Sequence, residues 1–270
     1  TTVDNRGDAP ITSYRLGDRL HLGATDAFLR GTGWLRSGAG GRGAALELYG
    51  ERSSYAYVHQ NSMVRVRAGE DTIEASGAPF TLAPGESRTL RRLLVVGDEA
   101  LAGSLREPLL DRRDTAASAI TAVGLDERGE PLDGGQVLIE RDGKPDGLAR
   151  LGDDGRALLL LAEGRYRLTL FAPGRRSAPS RALDLRPGDR RRVELRTGPP
   201  SQLVFDIRDK QSRRPIPFHV EVQAIGAPTP WLGVSSGPRP GSAVLLPDGV
   251  GVLPLPPGRY RVRVSAGPRY

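Results

Sequence analysis

Side chains that could bind a metal are few in this chain. Its three histidines, His21, His59 and His219, are far apart in sequence, and there is no cysteine. A metal site needs several His, Cys, Asp or Glu side chains that converge on one point. No motif with ligand spacing, such as two histidines separated by one or three residues, is present. The sequence therefore predicts no metal site, no cofactor and no disulfide.

A group of aromatic and polar residues is the best candidate for ligand binding. Trp34, Tyr55, Tyr57 and His59 lie near predicted turns in the N-terminal part, not far from Asp18. Aromatic rings stack on sugar faces, while hydroxyl and imidazole groups form hydrogen bonds, so this set is typical of carbohydrate contacts. The same residue types also pack in the core or at the rim of β-domains. Both interpretations stay open, and these four are the predicted glycan-binding residues.

An enzymatic arrangement is an alternative hypothesis. A sugar-converting enzyme of the mutarotase-like supersandwich type would need a His/Glu pair in a concave groove. Glu47 together with His21 or His59 is the pair that the N-terminal part offers.

A repeated strand defines the architecture that must position these residues. The stretch Gly258-Arg259-Tyr260-Arg261-Val262-Arg263-Val264 has a near copy at Gly164-Arg165-Tyr166-Arg167-Leu168-Thr169-Leu170, 94 residues earlier. A glycine followed by Tyr, Val or Leu alternating with Arg or Thr predicts a half-buried strand that begins at a turn. Because a β-sandwich module commonly has about this length, the two copies predict two tandem modules.

The residues before the modules also predict strands. Alternating stretches cover residues 45–50, 54–59 and 63–67, and a long strand is expected from Arg88 to Val96 after the Pro84-Gly85 turn. From Glu99 to Asp114, leucines four residues apart predict a short helix at a domain boundary. We therefore expect an all-β chain: a β-domain over residues 1–114, then two Ig-like β-sandwich modules over 115–197 and 198–270.

Composition limits the classes of partner. The net charge is +7, and almost all of the positive charge is arginine, in short runs at 91–92, 112–113, 175–176, 190–192 and 213–214. Nucleic-acid binding usually needs a concentrated basic stripe, so scattered runs argue against a nucleic-acid partner. No apolar run is long enough to span a bilayer, and we expect no membrane insertion. The chain starts at Thr1 without Met, and we expect it to be a fragment of a longer protein.

The end of the second copy resembles a known family. The Gly-Arg-Tyr-Arg-Val strand runs into Ser265-Ala266-Gly267-Pro268-Arg269-Tyr270. This segment resembles the one just ahead of the catalytic domain in large bacterial PHP-type metallohydrolases of the carbaryl-hydrolase-like group, with Arg269 in place of a Glu. The two repeats are similar to the transthyretin-like modules called carboxypeptidase regulatory-like domains. The N-terminal part is similar to the β-supersandwich region of the same proteins.

The resemblance implies a non-catalytic accessory region. A hydrolase domain would follow Tyr270 in cis and would carry the metal ligands, so no catalytic residue is assigned to this chain. We expect the region to position that domain, to contact a glycan or cell-envelope ligand, and to be periplasmic or extracellular. A stand-alone carbohydrate-binding or adhesive surface module is the alternative.

Overall fold

A computed structural model describes residues 1–22, 26–35, 37–50, 53–60, 62–98, 116–132, 134–177, 179–180, 182–225 and 243–266. All regular secondary structure in these ranges is β-strand, which confirms the all-β prediction. The helix expected between Glu99 and Asp114 lies outside the described residues. Within the described ranges there is no helix with the length and hydropathy that a membrane crossing requires.

The N-terminal sandwich (residues 1–98) is built from short strands. They are β1 (Thr2–Asp4), β2 (Ile11–Tyr14), β3 (Gly17–His21), β4 (Asp26–Leu29), β5 (Gly33–Trp34), β6 (Gly40–Gly43), β7 (Leu46–Tyr49), β8 (Ser53–His59), β9 (Val64–Ala68), β10 (Thr72–Ser76), β11 (Phe80–Leu82), β12 (Ser87–Thr89) and β13 (Arg92–Asp98). The two larger sheets have the orders β13-β8-β7-β4-β5 and β3-β10-β9-β6, and the small pairs β1-β12 and β11-β2 accompany them.

The two larger sheets pack face to face around an aliphatic core. Strands β9 and β10 bury every second residue, because successive side chains of a strand point to opposite faces of its sheet. The buried core between the sheets comprises Ala27, Leu29, Leu35, Leu46, Leu48, Tyr57, Val64, Val66, Ala68, Ile73 and Ala75.

The prediction of one long strand from Arg88 to Val96 is wrong. The segment is divided into β12 and β13, with a break at Leu90 and Arg91. Strand β12 pairs with β1, whereas β13 pairs with β8 in a larger sheet. The chain therefore leaves one sheet and enters another at the break, although its apolar and polar pattern continues.

The first module (residues 118–196) is a second sandwich. Its strands are β14 (Ser118–Leu125), β15 (Gln136–Arg141), β16 (Lys144–Arg150), β17 (Arg156–Leu161), β18 (Gly164–Phe171), β19 (Leu183–Leu185) and β20 (Arg190–Arg196). They form the sheets β17-β14-β20 and β16-β15-β18-β19, in which the β14-β20 pair is parallel.

The second module (residues 202–265) repeats part of this topology. Its strands are β21 (Gln202–Asp206), β22 (Phe218–Ala224), β23 (Ala243–Leu246), β24 (Val250–Pro254) and β25 (Tyr260–Ser265). They form the sheets β21-β24 and β23-β22-β25. Among the strands that the structure describes, no sheet joins different units, and the boundaries at 114/115 and 197/198 stay predictions.

The first Gly-Arg-Tyr-Arg stretch is the half-buried strand that its pattern predicts. In β18, Tyr166, Leu168 and Leu170 are buried, whereas Arg165 and Arg167 are exposed. The tyrosine ring is only 2% exposed and belongs to the core of the first module. The arginines therefore face solvent, and the apolar residues hold the two sheets together.

Candidate functional site

Two of the predicted site residues belong to a polar cluster between the sheets of the N-terminal sandwich. Tyr57 and His59 lie two residues apart on β8, so their side chains share one face. Arg92 of β13 is paired with His59 in the antiparallel register. Asp18 comes from β3, in the opposite sheet. We call Asp18, Tyr57, His59 and Arg92 the inter-sheet polar cluster.

Hydrogen bonds connect all four members of the inter-sheet polar cluster. The Tyr57 hydroxyl donates to Oδ2 of Asp18 at 2.5 Å and lies 3.2 Å from Nε2 of His59. Because its single hydrogen goes to Asp18, the hydroxyl accepts the bond from His59 Nε2–H. Nδ1 of His59 is then free to accept from the Ser62 hydroxyl, 3.4 Å away. Arg92 donates to Oδ1 of Asp18 and to the Thr1 hydroxyl.

The cluster holds its groups in defined protonation states. Burial disfavours the charge on Asp18, but hydrogen bonds from Tyr57 and Arg92 outweigh it and lower the Asp18 pKa. Burial and the neighbouring Asp18 carboxylate raise the Tyr57 pKa, so the side chain stays a phenol. Burial, followed by the charge of Arg92, lowers the His59 pKa, so the imidazole is neutral at pH 7. The result is a directly bonded, ionised Asp18–Arg92 pair beside two neutral rings.

A cavity of about 240 Å³ adjoins the inter-sheet polar cluster. Its lining includes Ser62, the residue whose hydroxyl contacts His59, together with Phe80, Arg88 and Arg91. The Arg88 guanidinium lies over the Phe80 ring, 4.9 Å from its centroid. Both arginines are exposed at the cavity. Two arginines at the lining suit a polar ligand that carries a carboxylate or a sulfate.

The four predicted binding residues do not form one surface. Tyr57 is buried, and Tyr55 packs against the same inter-sheet core. Trp34 lies on the other face of the sheet, where its ring meets those of Phe28 at 5.6 Å and Tyr49 at 6.0 Å, both edge to face. The structure therefore brings Tyr57 and His59 together and places Trp34 elsewhere.

The His/Glu pair of the enzymatic alternative is not assembled. Glu47 is 1% exposed and is paired in register with Ala56, so it projects from the face opposite to Tyr57 and His59. There it accepts hydrogen bonds from Arg30 and from the Tyr49 hydroxyl. His21 lies in the other sheet, where it is exposed. Neither histidine shares a groove with Glu47.

Sequence reasoning missed the arginines of this region. The sequence assigns no binding role to Arg88, Arg91 or Arg92, because single-sequence patterns do not reveal which strand lies beside which. The sequence signal that could have identified these arginines is the cation-rich run in and just before the strand that pairs with His59. Across the described residues, no group of three or more His, Asp or Glu side chains is placed to hold a metal ion.

Comparisons with known proteins assign no family to the chain. No family model and no curated protein match it. Among solved structures, a Streptococcal ancillary pilin has 13% identity, with 72% of this chain and 69% of that chain covered and a TM-score of 0.30. The Bacillus anthracis TIE protein has 12% identity, with coverage of 97% and 46% and a TM-score of 0.28. A single B repeat of the collagen binding surface protein of Staphylococcus aureus has 11% identity, with coverage of 57% and 86% and a TM-score of 0.22.

Proposed function

We propose that the chain is a non-catalytic accessory region of an exported bacterial surface protein, and that its tandem β-sandwiches hold a metal-dependent hydrolase domain in a fixed position. The observation that carries the proposal is a hydrophobic cluster shared by the N-terminal sandwich and the first module. Phe28, Tyr49, Ala56 and Val95 of the sandwich pack with Leu148 of β16 in this shared cluster. Trp34, Leu93 and Leu138 are packed against it. Domains move relative to each other unless their interface is apolar and well packed.

Polar contacts beside the shared cluster support a rigid connection. The backbone N–H of Gly31 donates to the carbonyl of Pro145 at 2.6 Å, across the two units. Burial tends to lower the pKa of Arg30, but Glu47 and then Asp146 of the first module outweigh it and raise this pKa. The guanidinium therefore stays charged between a carboxylate of each unit.

The junction between the two modules is similarly close. The N–H of Ser201 donates to the carbonyl of Gly174 at 2.8 Å, and the N–H of Gly198 donates to that of Arg176 at 3.2 Å. The Arg176 guanidinium reaches the carbonyl of Pro257, 3.2 Å away in the second module. Backbone-to-backbone contacts of this kind restrict rotation at the linker, as a spacer requires.

The hydrolase part of the proposal rests on the resemblance of residues 258–270 to the segment that precedes such domains. It is tested by reading the parent open reading frame beyond Tyr270. An Asp-x-His-x-His motif there supports the proposal, and an unrelated domain contradicts it. In that second case the stand-alone adhesive module becomes the better description.

Hydrogen exchange on the whole chain tests the spacer part. Leu148 is 5% exposed, and Leu148→Ala should lower the opening free energy of core amides in both β8 and β15 by about 2–5 kcal/mol. Leu158→Ala, at a site of the same module that is 57% exposed, is the matched control and should change neither set. A response confined to β15 would show that the two units open independently and would contradict a rigid spacer.

Acidic glycan binding is a second candidate function, favoured by the cavity beside Ser62. Arg88 and Arg91 supply cations at its lining, and the Arg88 guanidinium lies over the Phe80 ring. We expect oligosaccharides that contain uronic acid to bind, and neutral ones to bind more weakly. Calorimetric titration of the whole chain should show at least a tenfold loss of affinity for Arg88→Ala and no change for Arg42→Ala, an exposed arginine on β6. Equal binding of neutral and acidic oligosaccharides would exclude this role.

A further inference from the structure

The imidazole of His59 lies directly behind the wall of the cavity beside Ser62. His59 is only 2% exposed, but its Nδ1 atom lies 3.4 Å from the Ser62 hydroxyl. A Cβ at Gly77 would lie 3.9 Å from both Nδ1 and Cε1 of the same ring. Ser62 and Gly77 both line the cavity. The Nδ1 edge of this buried ring therefore lies one residue away from a ligand that occupies the cavity.

The other edge of the imidazole is held by polar and charged groups. Its Nε2 donates to the Tyr57 hydroxyl, which in turn donates to Asp18 of the opposite sheet. Arg92 of β13 forms an ion pair with the same carboxylate. Tyr57, Asp18 and Arg92 are thus the titratable and charged groups that face His59 from β8, β3 and β13. Since Nε2 already carries a hydrogen, Nδ1 is the ring atom that can take up a proton.

Proton uptake at Nδ1 reverses the hydrogen bond between His59 and Ser62. In the neutral ring, Nδ1 accepts the hydroxyl hydrogen of Ser62, and the serine oxygen has only lone pairs left to offer. A proton taken from solvent turns Nδ1 into a donor and makes the ring a cation. The serine oxygen then accepts the bond from Nδ1, and its own hydrogen is free to point into the cavity. The cavity wall thereby gains a hydrogen-bond donor with a positive charge behind it.

Both changes favour an anion in the cavity. Arg88 and Arg91 already contribute two guanidinium groups to its lining. A carboxylate only accepts hydrogen bonds, so it gains nothing from the lone pairs that Ser62 offers beside a neutral His59. Beside a protonated His59, the same hydroxyl donates to the carboxylate, and hydrogen bonds to ionised groups are the stronger ones.

We propose that His59 is a proton switch for the cavity beside Ser62: proton uptake by the imidazole and binding of an acidic sugar strengthen each other. The switch rests on the acidic-glycan role proposed for this cavity and adds its regulation. Because the coupling is reciprocal, a bound acidic sugar raises the His59 pKa by the free energy that the proton adds to sugar binding. Burial and then Arg92 keep this pKa below 6.5 in the free chain, so affinity rises as the pH falls below neutral. Asp18 stays ionised at pH 5.0, because its pKa lies below 3.8.

Calorimetric titration of the whole chain with trigalacturonate tests the switch. The affinity should rise about fivefold or more between pH 7.5 and pH 5.0. Titrations at an intermediate pH, in two buffers of different ionisation enthalpy, should show net proton uptake on binding. His59→Gln should abolish the rise in affinity, whereas His21→Gln, at the exposed histidine of β3, should keep it.

A variant at the surface and a titration of the unchanged chain test the switch without altering the core. Ser62 is exposed, and Ser62→Ala should lower the affinity about threefold or more at pH 5.0 but much less at pH 7.5. The reason is that its hydrogen points into the cavity only beside a protonated His59. In an NMR titration, the midpoint of His59 should be higher with saturating trigalacturonate than without it.

The outcomes separate the switch from the glycan role on which it rests. Equal affinity for trigalacturonate at pH 7.5 and pH 5.0 would overturn the switch and leave the glycan role standing. A rise in affinity that His59→Gln keeps, or an equal loss for Ser62→Ala at both pH values, would have the same meaning. No binding at either pH, or equal binding of the neutral maltotriose, would contradict the glycan role and the switch together.

Discussion

The hydroxyl of Tyr57 donates a 2.5 Å hydrogen bond to Asp18 and so joins the two sheets of the N-terminal sandwich. Tyr57 is 4% exposed, and its partner carboxylate also forms an ion pair with Arg92. A partly buried polar contact of this kind fixes how one sheet lies on the other, because leaving the buried Tyr57 hydroxyl unpaired is costly.

Replacement of this tyrosine tests the inter-sheet bond. Tyr57→Phe keeps the ring in the core and removes the donor to Asp18, so we expect the free energy of unfolding to fall by about 1–3 kcal/mol. Urea denaturation at pH 7 measures it. Tyr14→Phe, at a tyrosine that is 41% exposed, is the control and should change stability by less than about 0.5 kcal/mol. Equal effects of the two substitutions would mean that the bond contributes nothing.

The lowered pKa of His59 predicts a dependence of stability on pH. The folded-state pKa lies below the unfolded value of 6.5, so the unfolded chain binds more protons between the two values. Stability is therefore highest above pH 6.5 and falls as the pH drops toward the folded pKa, by at most about 1.4 kcal/mol per pH unit. Asp18 adds a separate loss of stability only near and below pH 3.8, because its folded-state pKa is also lowered.

Urea denaturation at pH 7.5 and pH 5.5 measures the contribution of His59. His59→Gln should show a smaller loss of stability between the two pH values than the unchanged chain does. His21→Gln, at the exposed histidine of β3, should keep the full loss. If both variants keep the full loss of stability, a group other than His59 is responsible for the pH dependence.

Two glycines of similar backbone conformation test the contact between the modules. Gly174 and Gly188 both have positive φ, +68° and +80°. A Cβ at Gly174 would lie 2.4 Å from the carbonyl oxygen of Ser201, whereas nothing lies within 4 Å of a Cβ at Gly188. Both alanine variants share the conformational cost of about 1 kcal/mol, so their difference reports the clash alone.

We expect Gly174→Ala to lower the unfolding free energy by about 1–3 kcal/mol more than Gly188→Ala does. Thermal and urea unfolding of the two variants measure this difference. If the two variants have the same unfolding free energy, the junction accommodates the added Cβ without a loss of stability.

The predictable parts of the fold are those that local alternation determines. The pattern around Tyr166 specified a strand, the buried residues on it and a sandwich module, because the side-chain period of a strand is two residues. The pairing of Tyr57 with His59 could be anticipated for the same reason, since they are two residues apart on one strand.

Contacts between distant strands could not be predicted from one sequence. Asp18 and Arg92 meet because strands 74 residues apart lie on facing sheets, and no local pattern encodes that. Residue type alone groups Trp34 with Tyr57, but the strand order puts Trp34 on the opposite face, against the first module. The break after Thr89 likewise depends on which sheet each half joins.

A distance measurement between the N-terminal sandwich and the first module tests the rigid spacer most directly. The chain has no cysteine, so Arg67→Cys and Leu158→Cys would place one spin label on each unit. Pulsed dipolar spectroscopy should give a narrow distance distribution between the two labels. Its width should not exceed that of a control pair within the sandwich, Arg67→Cys with Leu94→Cys. Adding Leu148→Ala should broaden only the first distribution. A broad distribution between the units in the otherwise unchanged chain would contradict the account.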